Sequence, residues 1–210
     1  MSEARIERLV AAAIHQAIGD IVPSRLEFYE SYLRPRGWRE DAVNLAPVAA
    51  VLSFLRHEPE GTYDQVMTRA ADYAAAWVHD AMPWRTRALL RVGPAWVRLR
   101  RLAAIVRQHL DRSYRGTSVA ITVRRGELRL TVAGSIFCSS RDPDSAPHCL
   151  YYAAFVEHLL TRAGVDVAHA TIDACRARGG DVCRLHVVVG TAPAAAVDRA
   201  SVPAPDSPSS

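Results

Sequence analysis

Apolar positions recur every three or four residues through the first half of the chain, and every two residues beyond Gly116. Ile6, Leu9, Val10, Ala13, Ile14 and Ala17 form one helical stripe, which predicts a first helix ending at Gly19. Ser24 and Glu27 have the spacing of a capping box, opening a short helix with Leu26, Tyr29 and Leu33. Pro35 and Gly37 stop it. Residues 44–57 suit a third helix, with Pro47 in its first turn. Thr62 and Gln65 are expected to cap a fourth, whose stripe runs through Val66, Met67, Ala70, Tyr73, Ala74, Trp77 and Val78. A last long helix follows Gly93-Pro94, with Val97, Leu102, Val106 and Leu110 on one side.

The change of period marks a change of class. Val119, Ile121 and Val123 alternate with Ala120 and Thr122, Arg125-Gly126 makes a turn, and Leu128, Leu130 and Val132 continue the alternation. That is a hairpin. A polar loop is expected at 139–147, then a helix at 149–163 closed by Gly164. A second hairpin pairs 165–173 with 183–189 around an Arg/Gly-rich turn. The order predicts an α+β fold: N-terminal helices, then ββαββ with a four-stranded antiparallel sheet. The expected organisation is a helical region at 1–112 packed on a ββαββ region at 113–190, together one domain. The segment 191–210 holds four prolines and no aromatic residue, and is expected to be a disordered tail.

Composition narrows the chemistry. All 26 basic residues are arginine, which excludes Schiff-base and P-loop lysine chemistry. Half the 210 residues are hydrophobic, enough for a core without disulfides. The longest apolar run, 149–156, is far short of the ~20 residues of a membrane span. The N-terminus, with Glu3 and Glu7 beside Arg5 and Arg8, lacks the pattern of a signal peptide, so a cytoplasmic location is expected. No nicotinamide or flavin fingerprint is present.

Cys138, Cys149, Cys175 and Cys183 all fall in the ββαββ part. Cys175 and Cys183 bracket the second hairpin turn, and Cys149 opens the helix that packs on the sheet, where a helix N-terminus favours the thiolate. Converging thiols suit a structural zinc, which takes four ligands in a tetrahedron. Cys138, His148 and Asp173 are the candidates for the fourth position. Ordinary burial of cysteine as a small apolar residue is the alternative.

The run from Cys149 through Leu-Tyr-Tyr-Ala-Ala-Phe-Val-Glu-His, then Cys175-Arg-Ala-Arg-Gly-Gly-Asp-Val-Cys183, resembles the 4-vinyl reductase domain family. The segment 131–138 resembles the strand that precedes the loop in that family. The resemblance spans residues 93–189 and implies a TRAPP-like ligand-binding α/β fold. It implies a metal site at Cys149, Cys175 and Cys183. The glutamate that completes the site in phenol-sensing members is replaced by Ile172 here. It also implies a tetrapyrrole-binding or carrier role in bacteriochlorophyll biosynthesis, at the step that reduces an 8-vinyl group. Reductase activity itself finds no redox-cofactor motif in the chain. A small-molecule sensor or adaptor of the same fold, acting through protein partners, is the second reading. Ligands in this family sit near the cysteine-opened helix, which points to Tyr151, Tyr152 and Phe155 as pocket residues.

Two further clusters bear on partners. Nine arginines lie in 85–115 with Asp111 the one acid, giving that segment +8 against −4 for the rest. Arg91, Arg98 and Arg101 are candidates for contact with an anionic ligand, an acidic protein or a membrane surface. Nucleic acid fits worst, because no recognition motif accompanies the charge. Trp77, His79, Trp84 and Trp96 flank a helix junction, where Trp77 and His79 could line a cavity for a magnesium tetrapyrrole or another flat hydrophobic molecule. Packing at a helix corner is the competing explanation. A homodimer is a further expectation.

Overall fold

In the computed structural model the described residues are 5–35, 38, 41–124, 126–138 and 146–189. The expected loop at 139–147 falls mostly outside them, and the expected tail at 191–210 wholly so.

The helical half contains α1 (Arg8–Ile21), α2 (Leu26–Leu33), α3 (Leu45–Leu55), α4 (Thr62–Asp80), α5 (Trp84–Val92) and α6 (Ala95–Ser113). Two short strands, β1 (Arg5–Glu7) and β2 (Ala42–Asn44), pair antiparallel beside α1. The second half runs β3 (Ser118–Arg124), β4 (Glu127–Ala133), α7 (Leu150–Arg162), β5 (Val167–Ala174) and β6 (Cys183–Val189). These four strands form one antiparallel sheet in the order β3-β4-β6-β5. The α+β class and the ββαββ order are those the sequence predicts.

Each element follows from its apolar pattern. α1 buries Val10, Ala11, Ala13, Ile14, Ala17 and Ile18 on one side. α4 presents Val66, Met67, Ala70, Ala71, Ala74 and Ala75, and packs between α1 and α7. The alanines bring the helix backbones close, while each fully buried Val, Ile or Met contributes about 1.5–3 kcal/mol. In the sheet, Leu128, Leu130 and Val132 of β4 face Val187, Leu185 and Cys183 of β6 in register, all buried. α7 packs against β5 of this sheet and α6 against β3. Asp111 near the end of α6 accepts from the Val119 amide at 2.7 Å, tying α6 to the first strand of the sheet.

Several boundaries differ from expectation. Gly19 lies inside α1, because the buried stripe continues through Ile18 and the helix ends at Ile21. Ser24 and Glu27 form no capping box: Arg25 is the N-cap residue of α2, with no side-chain hydrogen bond. Gly61, at φ +83, and not Thr62, opens α4. Asn44 caps α3 by accepting from the Ala46 amide at 2.9 Å. The β1–β2 pair and α5 had no counterpart in the sequence reading. Three-residue strands carry too little alternation to detect, and α5 buries only Leu90, so it has no stripe.

One glycine fixes the approach to the cysteines. Gly134 ends β4 at φ +69, and a Cβ there would stand 1.8 Å from the Gly116 carbonyl oxygen. The close crossing lets the chain leave the sheet toward Cys138. Among the described residues no helix is long and apolar enough to cross a membrane.

Candidate metal centre and ligand groove

The four cysteines meet at one end of the sheet. Cys183 opens β6, in register with Val132. Cys175 follows β5, and the turn that returns to Cys183 is held by Cys175 itself, whose carbonyl accepts from the Arg178 and Gly180 amides. Gly179, at φ +87, completes it. Cys149 is the N-cap residue of α7. Cys138 comes in beyond Gly134.

All four sulfurs lie within 4.8 Å of one another and all four residues are buried. Cys138 Sγ is 3.4 Å from both Cys175 Sγ and Cys183 Sγ. Four thiolates at the usual zinc–sulfur length of ~2.3 Å stand about 3.8 Å apart, so the cluster needs only small shifts to enclose a tetrahedral ion. The group could hold a metal ion. Of the candidates for the fourth position, Cys138 joins the group. Asp173 has an exposed side chain. The ring of His148 packs against Tyr63, with centroids 5.4 Å apart.

The charge of the cluster sits differently from expectation. Thiol donation from Cys138 and Cys149 holds the Cys183 thiol down to about 4, with help from the Arg176 amide. Donation by Cys149 to Cys138 and Cys183, followed by burial, pushes the Cys149 thiol strongly up. Cys138 is lowered by the Cys149 hydrogen bond, but donation to Cys183 and burial leave it raised overall. Within the cluster the hairpin cysteine is thus shifted down and the helix-opening one up. Two neighbouring thiol donors, Cys138 and Cys149, lower Cys183, and at Cys149 the helix end does not offset donation and burial.

Two residues that sequence reasoning missed hold this cluster in place. Arg56, at the end of α3, donates to the Phe137 carbonyl at 2.6 Å, immediately before Cys138. Tyr63, in the first turn of α4, donates to the His148 carbonyl at 3.0 Å, immediately before Cys149. The Arg56 guanidinium lies 5.8 Å from the centre of the Tyr63 ring. Burial raises the Tyr63 hydroxyl well above the ordinary tyrosine range, keeping it a donor. No sequence signal links positions 81 and 85 residues apart.

Of the expected pocket residues, the three aromatic ones on α7 lie together, and Trp77 and His79 lie apart on α4. Tyr151, Tyr152 and Phe155 are fully buried on α7. Tyr151 stacks on Phe137 with centroids 4.8 Å apart, and Phe155 stacks on His109 at 4.4 Å. All three rings lie in the aromatic cluster with Phe137 and His109. Trp77 stacks on Tyr73, and His79 turns to Asp80 at 3.3 Å. Arg98 is occupied by the α7 C-terminus, donating to the Ala163 and Gly164 carbonyls. Arg91 is exposed on α5.

Arg101 and Trp77 instead border an open groove between α1, α4 and α6. One part, about 380 Å³, runs between Leu9, Val78, Met82 and Ile105, with Arg101 and Arg112 contributing. A second part, about 650 Å³, adds Trp38 and Trp77. Glu7, Leu9 and Arg112 belong to both, so the two adjoin. Gln108, with its amide oxygen turned toward it, accepts from both terminal nitrogens of Arg112 at 3.0 Å.

The floor is polar. His109 Nδ1 lies 3.5 Å from Glu7 Oε2, and its Nε2 lies 3.4 Å from the Tyr151 hydroxyl. Burial pushes His109 down to about 4, so the ring is neutral at pH 7. Burial also raises Glu7, against the lowering effect of Arg112. Glu7 Oε2 is buried with no hydrogen-bond partner.

No family model, that of the 4-vinyl reductase domain included, and no curated protein matches the chain. Solved structures do. A mutant of the unliganded Fe(II) H-NOX protein from K. algicida superposes with a TM-score of 0.59 at 7% identity, covering 90% of this chain and 98% of that one. The H-NOX protein from S. oneidensis in its Fe(II)NO state gives 0.50 at 10% identity, covering 85% and 98%. A trafficking protein particle complex subunit 3 from Naegleria fowleri, covalently bound to palmitic acid, gives 0.48 at 9%, covering 86% and 95%. The class is thus an α+β protein with the H-NOX-like fold. Within that fold, this chain carries a buried four-cysteine cluster and a surface groove between its helices.

Proposed function

We propose that this protein is a small-molecule-binding module that receives a flat, hydrophobic carboxylate in the α1–α4–α6 groove, with a structural zinc fixing the sheet. The groove carries this reading: apolar walls, two tryptophans, three guanidinium groups (Arg8, Arg101 and Arg112) and two carboxylates (Glu7 and Asp41) in one open depression. Its size falls in the usual range for ligand sites, about 300–1,000 Å³. Arg112, steadied by Gln108, and Arg101 are placed for carboxylate groups. Trp77 and Trp38 offer flat apolar surface. The buried Glu7 oxygen that lacks a hydrogen-bond partner is left for a polar centre on the ligand.

The resemblance to the 4-vinyl reductase family makes a magnesium tetrapyrrole the ligand class, and carriage in bacteriochlorophyll biosynthesis the role. Magnesium takes oxygen donors, which favours the Glu7 carboxylate over His79 as its contact. Apolar walls and guanidinium groups in the groove support binding of the ligand.

Zinc is the metal we assign to the cluster. The site is closed by four buried sulfur ligands, the form of structural rather than catalytic zinc. Iron also accepts four thiolates, and elemental analysis separates the two.

Titration with a magnesium porphyrin bearing carboxylates tests the ligand. The expected result is a shifted visible band and quenched tryptophan emission at micromolar ligand, weakened at least tenfold in Arg112→Gln. Absence of both signals removes the tetrapyrrole. Binding of small phenols with indifference to porphyrins transfers the protein to the sensor reading.

A further inference from the structure

The corner formed by α5 and the start of α6 is not explained by the groove or by the metal centre. α5 packs chiefly on α6 and buries Leu90 alone. Its other apolar side chains face solvent: Trp84 is 69% exposed, Leu89 40% and Val92 86%. Trp96, at the start of α6, is 64% exposed. These are four of the seven large hydrophobic residues exposed among the described residues. Trp84, Ala88 and Val92 follow one another at four-residue spacing, so they share a side of the helix.

Charge is concentrated in the same place. Between Asp80 and Asp111 the sequence holds seven arginines and no acidic residue. Arg98 donates to the end of α7, Arg101 lines the groove and Arg107 pairs with Asp111, which leaves Arg85, Arg87, Arg91 and Arg100 for the corner. The Arg85 guanidinium lies 5.5 Å from the centre of the Trp84 ring, and Arg100 stands at the same distance from Trp96. Each exposed indole therefore travels with a cation. Over 84–101 the only uncharged polar side chain is Thr86. The corner offers guanidinium groups and apolar surface, and almost nothing else.

We propose that this corner docks the protein on an anionic lipid bilayer, with Trp84, Val92 and Trp96 entering the interface and the arginines meeting lipid phosphates. Tryptophan prefers the headgroup level, where its ring is apolar and its N–H is wet. Arginine beside anionic headgroups gains electrostatic attraction without spanning the membrane. The charge argues against a second copy of this chain, because pairing would set two arginine clusters face to face. Tryptophan and arginine are also enriched at protein interfaces, so the oligomeric state and competition by an acidic polymer are read beside lipid binding. The docking does not rest on the identity of the groove's ligand.

Co-sedimentation of the full chain with vesicles tests it. Equimolar phosphatidylcholine and phosphatidylglycerol vesicles should bind the protein, with a blue shift of tryptophan emission and a steep loss in high salt. Phosphatidylcholine alone should bind it weakly. Trp84→Ser with Trp96→Ser should lower binding at least tenfold while far-ultraviolet circular dichroism is unchanged, since both rings are exposed. Arg87→Gln with Arg91→Gln should lower it roughly thirtyfold, at about fivefold per arginine. Failure to sediment with the anionic vesicles at low salt overturns the proposal. So does a concentration-dependent dimer abolished by the tryptophan substitutions, which gives the corner to a second copy. Equal binding to polyglutamate that ignores those substitutions gives it to an acidic protein, and also overturns the proposal.

Discussion

His109 titrates far below its usual range because α6 carries it under the Phe155 ring and out of water. Its folded value of about 4, against an ordinary 6.5, means that the folded chain holds the neutral ring while the unfolded chain takes a proton. The stability this gives is complete above pH 6.5 and is lost as pH falls toward 4. Between about pH 7 and pH 5 the loss amounts to roughly 2 kcal/mol. Urea unfolding of the native chain and His109→Gln at both pH values should show that share of acid sensitivity disappearing in the variant. Equal sensitivity in both would place the protonation elsewhere. Glu7, the nearest charged group at 3.5 Å, shifts the opposite way, and burial is again the largest cause. Neither shift is readable from the sequence, since each residue is ionisable only as its surroundings permit. Tyr151, Tyr152 and Phe155 teach the same at one remove. The family resemblance marks them as pocket residues, and the fold sets them against Phe137 and His109.

Elements were legible wherever they bury a regular stripe. α1, α4, α6 and α7 announce themselves by apolar residues three and four apart, and the switch to period two marks the sheet. α5 escaped because only Leu90 among its nine residues is buried. β1 and β2 escaped because three residues are too few to establish a period. What elements do for one another was equally hidden. The end of α3 and the start of α4 supply Arg56 and Tyr63, which clamp the backbone before Cys138 and Cys149. Partners that orient metal ligands typically contribute 10–100-fold in metal affinity. Arg56→Gln is expected to lose zinc within that range, and Tyr63→Phe to do so more mildly, with about 1 kcal/mol of stability. Competition against a zinc-binding dye reads the affinity. Unchanged affinity in both variants would reduce the clamp to a packing detail.

On the scale of the whole molecule, the metal centre and the groove are separate. One lies where loops and hairpin meet at the end of the sheet; the other lies between the helices. Metal removal should therefore act on stability first. The purified chain is expected to carry about one zinc, and stripping it should lower the thermal midpoint. At a thousandfold excess of free zinc over Kd the stabilisation is about 4 kcal/mol. Cys183→Ser should bind no zinc and match the stripped protein. A midpoint indifferent to chelation, with less than about a tenth of an equivalent of metal, would return the four cysteines to ordinary core residues.

The sequence by itself determined the class of fold, the order of elements and the four thiols as the chemistry to watch, because periodicity and residue type are local. It also located the arginine cluster. The tertiary structure decided the rest. It brought Cys138, rather than His148 or Asp173, to the other three thiols, and it shifted Cys183 down and Cys149 up. It turned Arg98 to the end of α7 and assembled a groove around Glu7 and Arg112 that no spacing announces. Each of these depends on residues distant in the chain meeting in space. Only the packing of helices on the sheet sets those meetings.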